Sequence, residues 1–177
     1  MRLKYFQFLS STRILWASFF LTFLFVVVIF PSLAGNIESL DTRMDGYDFA
    51  EVMAALEGYG ADGRGRYIWV SLILDTLFPI IYCSLYAGLI YRFAPHEKLK
   101  LLAYLPLIGG VVDLGENIQI VTMLVQYPDL SVAQVTWANH FTLTKFAFSR
   151  VSMILALLAM AYALVTLGIA KFKARKG

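Results

Sequence analysis

Four apolar runs constrain this chain more than any other feature, because each is long enough to cross a lipid bilayer as a helix. About 20 apolar residues span the hydrocarbon core of a bilayer. Only 15% of the 177 residues are charged, whereas about 25% are charged in a typical soluble domain. We therefore predict an all-α integral membrane protein, folded as a bundle of four transmembrane helices. The predicted helices cover about residues 14–33, 67–91, 101–127 and 141–170 of a single membrane domain, 1–177.

The first run could instead be the apolar core of a cleaved signal peptide. The small residues at 32–34 precede Gly35 as a cleavage site would require, and Arg2, Lys4 and Arg13 form a basic leader. The apolar stretch, however, is longer than a usual signal core. We therefore favour a helix that is retained in the mature protein.

The distribution of Lys and Arg predicts how the bundle is oriented. Ten of them flank the runs on the side that holds both termini and the connection between the second and third helices. The other side has three, which are Arg43, Arg64 and Arg66. Because positive residues accumulate on the cytoplasmic side, we predict cytoplasmic N- and C-termini. The strength of the bias fits a bacterial inner (plasma) membrane.

The predicted outer loop, residues 34–66, is long for a compact bundle, and long loops are often functional. Its apolar residues recur at spacings of three and four, at Phe49, Val52, Met53 and Leu56. This pattern predicts a short amphipathic helix over about residues 47–57. Four glycines follow between residues 58 and 65. They indicate either a mobile lid that carries Arg64 and Arg66 over the mouth of a pocket, or a flexible connector whose arginines meet lipid phosphates.

Two acidic residues fall in the middle of the third predicted helix. Twelve residues, 101–112, precede Asp113, and eleven, 117–127, follow Glu116, so neither half is long enough to span a membrane alone. Asp113, Glu116 and Asn117 share one helix face, because they are three and four positions apart. Ionisable residues inside a membrane are costly and by default mark a functional site.

The second predicted helix adds Asp75, which we place one or two turns inside the outer membrane border. Pro79 lies four residues later and has no N–H, so the Asp75 carbonyl loses its helical hydrogen-bond partner. That carbonyl either contacts a ligand or is satisfied by a neighbouring side chain. Tyr82 lies on the same stripe of the helix as Asp75 and is expected to point into the same interior.

The fourth predicted helix has a seam of small residues that begins at Lys145. Its members recur at spacings of four and three, at Ser149, Ser152, Ala156, Ala159, Ala163, Thr166 and Ala170. Small residues at this spacing form a helix-packing surface. Lys145 is therefore expected to face the interior of the bundle. Arg150 lies off the seam and is expected to snorkel to the border.

These residues predict a polar cluster in the outer half of the bundle, where three carboxylates face one lysine. At least one acid must then be protonated, metal-bound or exposed to water, which favours a wet pocket open to the outer side. In this pocket Asp113 and Glu116 are the candidate acid–base pair. The residues that we expect to bind a ligand are Asp75, Asn117, Lys145, Tyr82, Arg64 and Arg66. The alternative is a structural ion-pair network.

The chemistry of the predicted cluster leaves the cofactor unidentified. Carboxylates suit Mg, Ca or Mn, but the chain has no metal-binding motif and only His140 could approach the cluster, so we predict no metal site. The short basic clusters border apolar runs and do not form a nucleic-acid surface. The bilayer itself is the one partner that the sequence implies directly.

Three functions remain open at this stage. The first is binding or processing of a lipid-like or amphipathic small molecule. The second is a non-enzymatic subunit or assembly factor of a membrane complex. The third is a small proton-linked transporter, which would have to be oligomeric because four helices rarely enclose a pathway alone.

Overall fold

The computed structural model describes residues 2–34 and 39–175, and within these ranges the chain is helical with no strand. Helix α1 is Arg2–Leu9. Helix α2 runs from Thr12 to Ala34 and contains a π-helical turn, Phe25–Ile29. Helix α3 is Phe49–Phe93, α4 is Tyr104–Gln126 and α5 is Val132–Ala174. Short 3-10 turns precede α3 and α4, at Leu40–Thr42 and Glu97–Ala103.

Four of the helical segments in the described ranges are long and apolar enough to cross a membrane, which confirms that part of the prediction. They comprise Thr12–Leu33, Phe49–Phe93, Glu97–Gln126 and Val132–Ala174. The proposed cleavage site of the first run lies partly outside the described residues, since Gly35 is not among them.

Helix α3 begins much earlier than predicted, so residues 49–66 are not a loop. Asp48 caps this helix: its Oδ1 accepts from the Glu51 N–H at 2.8 Å, and Glu51 Oε2 accepts from the Asp48 N–H at 2.8 Å. This reciprocal capping box satisfies two backbone donors that a helix start leaves unpaired. The predicted amphipathic stretch, residues 47–57, thus overlaps the first turns of α3. Gly60 interrupts the helix with a φ of 62° and a ψ of 179°, a conformation that glycine adopts at little cost.

Helix α5 is also longer than predicted, at 43 residues. At about 1.5 Å per residue it is roughly 64 Å long. The Ser131 hydroxyl caps its start and accepts from the Gln134 N–H at 3.2 Å. Between residues 161 and 175, only Ala163 is even partly covered. The small-residue seam is therefore buried at Lys145, Ser152, Ala156 and Ala159, but Thr166 and Ala170 are exposed in the isolated chain.

Helices α3, α4 and α5 pack on one another, and α2 packs mainly along α3. Two apolar cores stabilise the ends of the bundle. The upper core, which defines the upper end, contains Leu40, Tyr47, Val52, Leu56, Tyr67, Ile120, Met123, Leu124, Val135 and Ala138. The lower core contains Phe6, Leu9, Ala87, Ile90, Ala103 and Ala156. The polar cluster lies between them.

Helix α1 closes the lower end of the bundle. From the sequence, these residues were considered only as a basic leader. Phe6 and Leu9 are each only 4% exposed. The Phe6 ring stacks on Tyr91 at 5.4 Å between centroids. Arg92 then fixes the turn after α1, donating to the Ser10 carbonyl at 3.2 Å and to the Thr12 hydroxyl at 2.9 Å.

Candidate functional site

A cavity of about 540 Å³ lies between α2, residues 39–44 and the three packed helices. This volume falls in the range of small-molecule sites, about 300–1,000 Å³. Its walls are mostly apolar, and its polar groups gather on α3, α4 and α5. Helix α2 contributes Thr22, Val26, Phe30, Pro31 and Leu33, and α3 contributes Arg66, Tyr67, Val70, Asp75, Phe78, Tyr82 and Tyr86. The rest of the wall includes Asp41 and Met44, Asp113 and Asn117 of α4, and Lys145, Phe146 and Ser149 of α5.

The structure brings six of the eight predicted site residues to this cavity: Arg66, Asp75, Tyr82, Asp113, Asn117 and Lys145. They come from three helices, and Arg66, which was predicted to lie in a loop, is on α3. Arg66 is exposed at the rim, whereas the other five are buried. The two that do not line the cavity are Glu116 and Arg64.

Glu116 is sealed inside the bundle, with an exposed fraction of 0%. Its carboxylate forms an ion pair with the Lys145 ammonium, which stands between it and the cavity. A buried carboxylate requires such a partner, because transferring an unpaired charge out of water costs several kcal/mol. The predicted acid–base pair of Asp113 and Glu116 is therefore not presented together to a ligand: Asp113 lines the cavity and Glu116 does not.

Arg64 turns away from the cavity that it was predicted to guard. Its guanidinium lies over the Tyr127 ring, 4.5 Å from the centroid, and Nη1 donates to the Leu56 carbonyl at 2.8 Å. Stacking on an aromatic face is a common arrangement for arginine. Residues 61–66 are helical, so the glycine-rich stretch is not the irregular loop in which we predicted Arg64 and Arg66.

The carbonyl that Pro79 leaves without a partner is satisfied by a neighbour. Asn117 Nδ2 donates to the Asp75 carbonyl at 2.8 Å, from α4 to α3. The sequence left open whether this carbonyl contacts a ligand or is satisfied by a neighbouring side chain, and the structure shows the neighbouring side chain. Asn117 is 5% exposed, so its amide acts as an internal substitute for the missing helical N–H.

The Asp75 side chain is left without a donor. It is 7% exposed and lines the cavity. Among the residues that the structure describes, no group donates a hydrogen bond to its carboxylate, and no Lys or Arg forms an ion pair with it. A buried carboxylate in this state is costly unless a ligand, water or a proton satisfies it.

Asp113 has one partner, the Tyr82 hydroxyl, which donates to its Oδ2 at 2.7 Å. This bond joins α3 to α4 and orients the carboxylate toward the cavity. Within the described part of the chain, Asp113 forms no ion pair. The cavity therefore presents two carboxylates, those of Asp75 and Asp113, that form no ion pair with a Lys or Arg of the described residues.

The connecting segment, residues 39–48, precedes α3. Its residues 39–44 form part of the site that the sequence did not predict. The Tyr67 hydroxyl donates to Asp41 Oδ1 at 2.5 Å, and Lys145 Nζ donates to the Asp41 carbonyl at 3.0 Å. Asp41 thus adds a third carboxylate to the cavity wall. In the sequence it was one of many acids in the connecting segment, and no periodicity distinguished it.

Tyr47 fixes the same connecting segment to α5. Its N–H donates to Asn139 Oδ1 at 3.0 Å, and its hydroxyl lies 3.1 Å from the Thr142 hydroxyl. Burial raises the pKa of Tyr47 to about 12, so its hydroxyl stays protonated at neutral pH. These contacts attach the segment before α3 to α5.

Aromatic side chains form the wall on the side of α2. Phe78 stacks on Phe25 with centroids 5.6 Å apart, and it packs edge-on against Phe30 at 5.1 Å and tilted against Tyr82 at 5.0 Å. The π-helical turn of α2 lies at this contact. Such turns are frequent at functional sites.

No group of three or more His, Cys, Asp or Glu side chains in the described ranges is placed to hold a metal ion. Comparisons with protein-family models, curated proteins and solved structures gave no match for this chain.

Proposed function

We propose that this chain is an integral membrane protein that binds or processes a lipid-like or amphipathic small molecule in the cavity. The observation that carries the proposal is a cavity of about 540 Å³ whose apolar walls lead to the Asp75 carboxylate, which has no donor in the described chain. An amphipathic molecule matches both parts, because its tail buries apolar surface while its polar end satisfies the buried acid.

Insertion into a membrane is supported by the four long apolar helices and by the side chains that they leave uncovered. Phe20, Val111 and Leu164, for example, are 60%, 69% and 70% exposed. In water such surfaces would promote aggregation. The Lys and Arg distribution supports cytoplasmic termini, an upper end on the outer side and a bacterial inner membrane.

Entry from the outer leaflet is supported by the position of α2. This helix packs mainly on α3, and its cavity-lining residue Val26 is 52% exposed. Met44, on the connecting segment, also lines the cavity and is 56% exposed. The cavity therefore reaches the surface where an inserted bundle would meet lipid.

Binding is better supported than acid–base catalysis by Asp113 and Glu116. Glu116 is enclosed behind Lys145, so it has no path to a reacting atom. A catalytic function would have to rest on Asp75 and Asp113, which do line the cavity.

The test measures which membrane molecules stay bound to the purified protein, and whether a bulky side chain placed in the cavity removes them. Ser149→Phe inserts a ring from the cavity wall, whereas Met153→Phe places the same ring one turn further along α5 at an exposed position. Native mass spectrometry should find bound amphipathic molecules on the wild type and on Met153→Phe, and much less on Ser149→Phe. Equal retention by all three proteins would reject the cavity as the site.

A role as a subunit of a membrane complex is a second candidate, supported by the end of α5. Residues 164–175 are exposed on every face in the isolated chain. A partner helix or a second copy could cover this surface, as could lipid. Light scattering of the protein in mild detergent tests for self-association, and a strictly monomeric mass would leave only a different protein as the partner.

A further inference from the structure

The charges around the cavity indicate which polar end a ligand would have. Three carboxylates line it, those of Asp41, Asp75 and Asp113, against the cations Arg66 and Lys145. Lys145 is already committed to Glu116 and to the Asp41 carbonyl. Arg66 is exposed at the rim. The interior of the cavity is therefore short of positive charge.

Of the three carboxylates, that of Asp75 has the fewest partners. The Asp113 carboxylate accepts from Tyr82, and the Asp41 carboxylate accepts from Tyr67. The Asp75 carboxylate has no donor within the described chain, although it is only 7% exposed. Its own backbone carbonyl is occupied by Asn117, so the peptide is fixed while the acid remains unpartnered toward the cavity.

We propose that the ligand is a cationic amphiphile, a protonated amine carried on an apolar tail, and that its ammonium group donates to the Asp75 carboxylate. This inference rests on the proposed function and specifies its ligand. A charge-assisted hydrogen bond would satisfy the buried acid. The Phe78 and Tyr82 rings line the cavity beside Asp75, and aromatic faces attract cations.

The remainder of the cavity accommodates the tail. Val26, Phe30 and Leu33 of α2 line the side that reaches the surface. An amine held at Asp75 would direct its tail along these residues toward the surrounding lipid. An anionic head group would instead face three carboxylates, and an uncharged one would leave the Asp75 charge without a counter-ion.

The experiment uses three ligands with the same ten-carbon tail: decylamine, decanol and decanoate. Binding of each radiolabelled compound is measured to the full chain in lipid nanodiscs, and protein-free nanodiscs of the same lipid correct for partition into the bilayer. Decanol can also donate a hydrogen bond to Asp75, but only the ammonium adds the attraction of an opposite charge, so decylamine should bind about tenfold or more tighter than decanol. Decanoate should bind most weakly.

Asp75→Asn preserves the shape of the side chain and removes its charge. It should reduce decylamine binding to the level of decanol and leave decanol binding unchanged, which also shows that the variant is folded. Asp129→Asn removes a carboxylate from an exposed position outside the cavity wall and should keep the full preference for the amine.

Each other outcome overturns a distinct statement. If wild-type protein binds decanol or decanoate as tightly as decylamine, the cavity accepts amphiphiles but the inference about charge is wrong. If Asp75→Asn keeps the amine preference, Asp75 is not the acceptor. If none of the three compounds binds above the nanodisc background, the proposed function fails and this inference fails with it.

Discussion

The side-chain amide of Asn117 donates to the backbone carbonyl of Asp75 at 2.8 Å, and this carbonyl is the one that Pro79 deprives of its helical partner. The bond couples α4 to α3 at the level of the cavity. It also explains how a proline is tolerated inside a buried helix, where an unpaired carbonyl is costly. The Asp75 side chain, by contrast, accepts no hydrogen bond from the described residues.

Asn117→Ala should therefore destabilise the protein by about 1–3 kcal/mol, the cost of leaving a buried acceptor unpaired. In the background of Pro79→Ala the cost should be much smaller, because the new N–H of residue 79 can bond to the Asp75 carbonyl. Unfolding free energies from titration with sodium dodecyl sulfate give this double-mutant cycle. An equal cost of Asn117→Ala in both backgrounds would show that the two residues do not act on the same carbonyl.

Glu116→Gln should destabilise the fold by about 3–5 kcal/mol, because it leaves the Lys145 ammonium buried without its counter-charge. The double variant Glu116→Gln with Lys145→Met should recover part of that loss. The measurement is again the unfolding free energy. A stable Glu116→Gln protein that has lost ligand binding would contradict the structural role that its enclosed position supports.

Tyr67→Phe should release the connecting segment from the cavity. The Tyr67 hydroxyl donates to Asp41 Oδ1 at 2.5 Å, and bonds to charged groups are worth about 1.5–3 kcal/mol. Hydrogen exchange followed by mass spectrometry should show faster exchange over residues 40–44 in this variant. Tyr162→Phe, at an exposed position of α5, is the matched control and should leave that segment unchanged. Unchanged exchange in Tyr67→Phe would mean that Lys145 and the upper core alone hold the segment.

Gly88→Ala should dislodge α1, because a Cβ at residue 88 would lie 2.5 Å from the Leu9 carbonyl oxygen. Backbone cannot yield as a flexible side chain can, so we expect α1 to lose protection from hydrogen exchange over residues 2–9. Gly168→Ala has no atom within 4 Å of its new Cβ and should be neutral or slightly stabilising. Unaltered protection of α1 in Gly88→Ala would show that this contact does not determine how the helix docks.

The helix faces could be predicted from the sequence because their periodicity is local. Asp113 and Asn117 share a face of α4 by their spacing alone, and both line the cavity. The same reasoning placed Lys145 at the head of a buried seam. It could not show that Glu116, on that same face, would be enclosed behind Lys145, because this depends on how closely α5 approaches α4.

The connecting segment and the full length of α3 escaped prediction for a different reason. Asp41 reaches the cavity through contacts with Tyr67 and Lys145, which are 26 and 104 residues away in the sequence. No local pattern encodes such contacts. The helical start at Phe49, which the capping box of Asp48 and Glu51 marks, agrees with the short helix predicted over about residues 47–57. The glycines that follow led us to end that helix too early.

The most direct test of the central claim is a crystal structure of the protein grown from a lipidic mesophase. We expect elongated non-protein density in the cavity, with its polar end within hydrogen-bonding distance of the Asp75 carboxylate and its tail along α2. A cavity that holds only ordered water, or one that the side chains of α2 and α5 close completely, would contradict the proposal that the bundle binds an amphipathic molecule.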